Sequence, residues 1–248
     1  IAMHNKLFIP YVMGDKDFIQ HVKLLSEHGA DYIEIGVPFS DPVADGPIIM
    51  KAANQAIKDN VTIDTIFEQL KQNQHQIKAN YILMTYYNIV MTYGIEAFFK
   101  SCEEAGVYGL IIPDLPFELT EKLKEQVTNY SVKIISLVAM TAPEERIREI
   151  ATHAEGFIYT VTMNAVTGQN ESFHPELKQK LALLKSITQI PVVCGFGIRT
   201  PEQVSEIIQY ADGVVIGSEI VKRLKSQSQE DIITYINSIR QRLSSQFD

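Results

Sequence analysis

Short runs rich in β-branched residues alternate along this chain with longer stretches whose apolar residues recur every three or four positions. The first pattern predicts strands at Leu7–Val12, 31–37, Tyr81–Thr85, Tyr108–Ile112, Val132–Val138, Phe157–Val161, Pro191–Cys194 and Gly213–Ile216. The second predicts helices near 16–28, 62–77, 94–105, 117–129, 143–153, 175–187, 201–209, 218–225 and 229–244. Strands that each lead into a helix must run parallel and be joined by right-handed crossovers. Eight such units match an α/β fold of the (β/α)8 TIM-barrel type, with residues 1–248 forming a single domain. A doubly wound open sheet is the rival arrangement.

Within the second strand the alternation singles out one residue. Ile33, Ile35 and Val37 share one face, and Tyr32, Glu34 and Gly36 share the other. If the aliphatic face packs on helices, Glu34 points into the barrel, where an ionised carboxylate is costly unless something uses it. The loop that follows carries Asp41 and Asp45, held by Pro38, Pro42 and Pro47. A buried and a loop carboxylate can divide acid and base work, because desolvation raises the pKa of the first while the second stays ionised. Asp45 in Asp-Gly-Pro is also ordinary turn chemistry, and Asp41 before Pro42 reads best as shaping the loop or meeting a partner.

Barrel chemistry gathers where strands end. Gly195 and Gly197 follow the seventh strand, and Gly217-Ser218 follow the eighth and open a short helix. Glycines let backbone N–H groups approach an anion, and a helix N-terminus directs positive potential at it, so this corner suits a phosphate. Gly168, after the sixth strand, offers one more N–H, and Ser218 adds a hydroxyl.

Composition narrows the picture. The 248 residues are 46% hydrophobic and carry a formal charge of −8, with no basic stripe, which disfavours nucleic acid. No apolar run reaches 18 residues, and neither a signal peptide nor a lipidation motif is evident, so a cytoplasmic location is expected. Cys102 and Cys194 fit reduced core residues. No lysine stands at the outlet end of a predicted strand, Lys133 beginning its own, which disfavours Schiff-base chemistry. Of six histidines only His174 lies near such a loop, so no metal site can be assembled.

The block Glu-Ile-Gly-Val-Pro-Phe-Ser-Asp-Pro-Val-Ala-Asp-Gly-Pro at 34–47 resembles the signature of the tryptophan synthase alpha subunit family. Supporting blocks are Leu83–Asn88, Gly109–Pro116, Val166–Gly168, Val193–Ile198 and Asp212–Ser218, so the similarity runs from Leu7 to the last helix. The resemblance implies a lyase that cleaves indole-3-glycerol phosphate to indole and glyceraldehyde 3-phosphate in tryptophan biosynthesis, without a cofactor in this chain. It implies that Glu34 handles both protons and that Asp45 stabilises charge at the indole N–H. It assigns Tyr11, Ile49, Met84, Tyr159 and Phe196 to the indole pocket, and Gly168, Gly197, Gly217 and Ser218 to the phosphate. Thr167 is expected to meet the aspartate when its loop closes.

The resemblance also implies a pyridoxal-phosphate-dependent beta subunit as partner in an alpha2beta2 heterotetramer, with pyridoxal phosphate on that subunit. Asp41, Pro42, Asn88, Asp114 and Pro116 match its contact positions. Two departures stand out: Ala165 occupies a position where the family commonly has glycine, and the helix that precedes strand one in many relatives has little counterpart. The latter leaves open what covers the lower end of the barrel. An isomerase of sugar phosphates and a non-catalytic activating subunit are the alternative readings.

Overall fold

The computed structural model describes residues 6–40, 45–161, 166–167, 172–173, 175–195 and 197–244. Its strands are β1 (Leu7–Met13), β2 (Tyr32–Gly36), β3 (Asn80–Met84), β4 (Gly109–Ile111), β5 (Lys133–Ile134), β6 (Ser136–Ala139), β7 (Ile158–Val161), β8 (Val166–Thr167), β9 (Ser172–Phe173), β10 (Val192–Gly195) and β11 (Gly213–Ile216). Nine of these form one parallel sheet in the order β5-β4-β3-β2-β1-β11-β10-β7-β6. The two end strands are halves of one run, separated only by Ile135. Lys133 and Ile134 pair with β4, whereas Ser136 to Ala139 pair with β7. The sheet therefore curls back on itself into the expected barrel, and the open-sheet alternative is set aside.

The helices are α1 (Phe18–Glu27), α2 (Pro47–Lys58), α3 (Ile63–Asn73), α4 (Tyr87–Tyr93), α5 (Ile95–Glu104), α6 (Phe117–Gln126), α7 (Glu144–His153), α8 (Pro175–Ile187), α9 (Pro201–Ile207), α10 (Ser218–Ser226) and α11 (Gln229–Ser244). Two of them, α2 and α4, are absent from the sequence expectation, as is the small antiparallel pairing of β8 with β9. Helix α2 begins with Pro47 in its first turn, where a missing N–H costs nothing, and buries only Ala53 and Ala56.

Strand alternation sorts side chains into two cores. Ile33, Ile35 and Val37 join the large layer between sheet and helices. Ile9, Ile82, Ile111, Ile135, Phe157, Tyr159, Val193 and Val215 fill the barrel interior. At the strand-start end Tyr32 packs edge-on against both Tyr108 and Phe157, with ring centroids 5.2 and 5.1 Å apart. These three rings occupy the lower interior, which answers what fills that end. Cys102 and Cys194 are buried thiols outside any disulfide, as expected.

Closure is reinforced by one carboxylate. Asp31 accepts the Phe8 N–H at 2.8 Å and the Arg240 guanidinium at 3.1 Å, and Arg240 also donates to the Lys6 carbonyl at 3.1 Å. The first strand, the second strand and the last helix are thus tied at one point.

Phe157 is 1% exposed and sits in the aromatic plug. Phe157→Ala is expected to cost about 3–5 kcal/mol in urea unfolding; a loss below about 1 kcal/mol would mean that the lower interior repacks freely.

Candidate active site

The strand-end face of the barrel opens into a cavity of about 940 Å³. Glu34 forms part of its floor, held there by β2, in which it lies in register with Tyr11 of β1 and Ile82 of β3. The carboxyl is 3% exposed, and its Oε2 has no hydrogen-bond partner among the described residues. Desolvation, reinforced by the charge of Asp45, pushes its pKa up to about 8. The carboxyl is therefore mostly protonated at neutral pH.

Asp45 lies at the rim, just ahead of α2, and is half-buried. Burial raises its pKa, while a hydrogen bond from the Tyr86 hydroxyl opposes that shift. Tyr86 itself stacks on Phe39, with ring centroids 4.9 Å apart and planes 28° from parallel. Sequence reasoning did not name Tyr86 as a site residue. The signal was available: Ile82 and Met84 point inward from β3, and Tyr86 continues that parity past the strand end.

Two tyrosines stand beside the buried carboxyl. Tyr11 and Tyr159 are 4% and 8% exposed, and burial raises both phenol pKa values well above normal, with nearby carboxylate charge adding to the effect. Each ring needs a glycine opposite it. A Cβ on Gly36 would lie 1.8 Å from the Tyr11 hydroxyl, and one on Gly195 would lie 2.5 Å from that of Tyr159. Both glycines face inward on their strands and make room for side chains, a role that the reading of Gly195 as an anion-facing N–H did not include.

The remaining wall divides by chemistry. Ile49 from α2, Met84, Ile111, Leu137, Val161 and Val215 give an apolar flank suited to a flat ring. Gly197, Gly217 and Ser218 line the same cavity, with Gly217 close to Ile49 and Tyr11. Gly197 has φ +73°, and Gly217 is the N-cap of α10 with Ser218 as its first residue. These N–H groups and the positive end of α10 form an anion corner.

The structure thus brings together Glu34, Asp45, Tyr11, Ile49, Met84, Tyr159, Gly197, Gly217 and Ser218 around one cavity. Gly168, Phe196, Asp41, Pro42 and Ala165 lie outside the described residues, and Thr167 is placed only by the backbone pairing of β8. Asn88 and Pro116 are exposed near the same end of the barrel. Asp114 accepts the Tyr87 N–H at 2.9 Å, tying the loop after β4 to the start of α4. Among the described residues no three histidine, cysteine or carboxylate groups gather as a metal site, and no helix is long and apolar enough to cross a membrane.

Comparison with known proteins gives this geometry a lineage. The family model described as tryptophan synthase alpha chain matches residues 2–245. The tryptophan synthase alpha chain of Staphylococcus aureus (strain bovine RF122 / ET3-1) is 66% identical over 240 residues, covering 97% of this chain and 99% of that protein. The solved tryptophan synthase subunit alpha of Campylobacter jejuni superposes with a TM-score of 0.84 at 33% identity, covering 96% of each chain. That of Legionella pneumophila str. Paris gives 0.85 at 29% identity, covering 96% of this chain and 92% of that one. A buried acid, a rim aspartate, an apolar slot and an anion corner, set in this barrel and matched over nearly its whole length, place the chain in the tryptophan synthase alpha chain family.

Proposed function

We propose that this cavity performs the family's lyase reaction, cleavage of indole-3-glycerol phosphate to indole and glyceraldehyde 3-phosphate, with Glu34 as the proton-transfer group. The observation that carries the assignment is the state of that residue: buried, with an orphaned oxygen and a pKa of about 8, at the foot of an apolar slot. A carboxyl that is neutral at pH 7 can donate a proton, which an ordinary glutamate cannot do efficiently.

The steps balance on that one group. Glu34 gives its proton to indole C3, leaving an iminium-like ring and a carboxylate. The carboxylate then takes the proton of the side-chain hydroxyl next to C3. That oxygen becomes a carbonyl, the carbon–carbon bond breaks, and its electron pair restores the aromatic ring. Glu34 ends protonated, ready for the next cycle. Asp45, ionised and steadied by Tyr86, stabilises the positive charge on the ring N–H while C3 carries the extra proton. Ile49, Met84, Tyr11 and Tyr159 hold the ring, and Gly197, Gly217 and Ser218 hold the phosphate. Phe196, Gly168 and Thr167 are assigned to the ring, the phosphate and the closing loop by family correspondence.

The same reading assigns this chain to an alpha2beta2 assembly with a beta subunit that carries pyridoxal phosphate, in the cytoplasm. Asp41, Pro42, Asn88, Asp114 and Pro116 are assigned to contact with this partner by family correspondence. Direct transfer of indole suits such an arrangement, because an apolar product released into water is lost by diffusion.

Glu34→Gln is expected to lower indole release at least about 100-fold while substrate still binds; activity within a few-fold of wild type would refute the role. In the wild type, kcat/KM should fall as pH rises through about 8, where the free enzyme loses its donor proton. Stability carries the same signature. Between the ordinary glutamate value of 4.5 and about 8 the folded state holds a proton that the unfolded chain has released, so stability declines as pH rises across that window. Glu34→Gln should abolish this decline in denaturation curves taken at several pH values.

Tyr86→Phe removes one donor from Asp45 and should lower kcat about tenfold, as expected for a hydrogen bond to a charged group. An unchanged kcat would leave Tyr86 as a packing residue only. Finally, adding a beta subunit should raise the rate of indole-3-glycerol phosphate cleavage. Partner activation without any cleavage by this chain would favour a purely activating role.

A further inference from the structure

The two halves of the anion corner come from different parts of the chain. Gly197 lies in the turn between β10 and α9, whereas Gly217 and Ser218 lie where β11 gives way to α10. One anion gripped by both needs a fixed spacing between turn and helix, because a hydrogen bond weakens steeply once its donor is displaced. β10 and β11 pair through Val193 with Gly213 and Cys194 with Val214, which stops short of Gly197 and Gly217. The spacing at the corner therefore depends on what holds the segments beyond the strands.

Side chains hold both the donors and an acceptor of the turn. The Oε1 of Gln203, a residue only 2% exposed, accepts the Arg199 N–H at 2.9 Å and the Thr200 N–H at 3.1 Å. The Arg199 carbonyl in turn accepts the hydroxyl of Tyr235, on α11, at 2.7 Å. Tyr235 is buried, and burial raises its phenol pKa, so the hydroxyl keeps the proton it donates. The same tyrosine reaches the other half of the corner. The guanidinium of Arg223, on α10, lies over its ring at 3.8 Å from the centroid. Arg223 also donates to Glu219 at 2.9 Å, in the first turn of α10 beside Ser218. One residue of the last helix is thus bonded through its hydroxyl to the turn after β10 and through its ring face to α10.

Resting on the phosphate assignment above, we propose that Tyr235 is a positioning residue for phosphate binding, a brace that keeps the turn carrying Gly197 and the helix opening at Ser218 at the spacing one anion requires. Tyr235 does not itself line the cavity. It acts through the backbone donors of the two segments it joins. Its hydroxyl and its ring face work in series, because loss of either contact cuts the link between them.

The test uses the full chain and two ligands. Glycerol 3-phosphate, which probes the anion corner, and indole, which probes the ring slot, are titrated calorimetrically, and KM and kcat for indole-3-glycerol phosphate are measured in parallel. Tyr235→Phe deletes the hydroxyl and keeps the ring. It is expected to weaken glycerol 3-phosphate binding and raise KM about three- to tenfold, the range that one hydrogen bond supplies, while indole affinity and kcat stay within about twofold of wild type. Arg223→Lys keeps the charge that balances Glu219 but loses the flat face against the ring, and should act in the same direction. Contacts in series predict that the double variant loses no more than the larger single loss. Unchanged glycerol 3-phosphate affinity in Tyr235→Phe, an equal loss for indole, or losses that multiply in the double variant overturn the brace. If the wild type neither binds glycerol 3-phosphate nor cleaves the substrate, the phosphate assignment itself fails; a wild type that does both beside an unimpaired Tyr235→Phe removes the brace alone.

Discussion

A single carboxyl group placed in an apolar barrel governs the rest of this structure. Glu34 loses its water when β2 takes its place in the sheet, and nothing among the described residues replaces the lost hydrogen bond at Oε2. Such a group survives burial by staying protonated. Asp45 a short way off adds to that tendency, because two negative charges in one poorly solvated space oppose each other. The cost of the arrangement falls on the fold, and its return is a proton donor that works at neutral pH.

The surroundings fit that constraint. Tyr11 and Tyr159 surround the carboxyl with aromatic surface, and the barrel accommodates them only because Gly36 and Gly195 leave the space that a methyl group would fill. Apolar side chains and the glycine and helix-start N–H groups line one cavity, so a ligand that combines a flat ring with an anion would find both kinds of surface there. Tyr32 packs edge-on against Tyr108 and Phe157 in the interior beneath the acid.

Much of this was legible in the residues. Eight strands were placed within a residue or two of their observed bounds, because parallel strands buried on both faces read as compact β-branched runs. The inward orientation of Glu34 followed from alternation alone. What escaped had physical reasons. The break at Ile135 divides one strand into two pairing halves without changing its composition. Helix α2 starts at Pro47, inside a stretch read as a proline-rich loop, although the family resemblance already assigned its Ile49 to the indole pocket. Tyr86 looked like one more aromatic in a tyrosine-rich stretch, since its partner Asp45 is 41 positions away in sequence and no local pattern links them. Gly195 was read as letting a backbone N–H approach an anion, and its missing side chain also leaves room for the Tyr159 ring.

The clasp at Asp31 has a consequence for how the molecule is made. β1 emerges first from the ribosome, but it lies between β2 and β11, and the Arg240 side chain that locks it belongs to the last helix. Throughout synthesis one edge of the nascent sheet stays open, exposing unpaired amides that invite association with other chains. Only when β11 and α11 have been made can the ring join. Glu34 therefore reaches its final burial after those segments dock, so that maturation of the barrel and acquisition of chemical competence coincide.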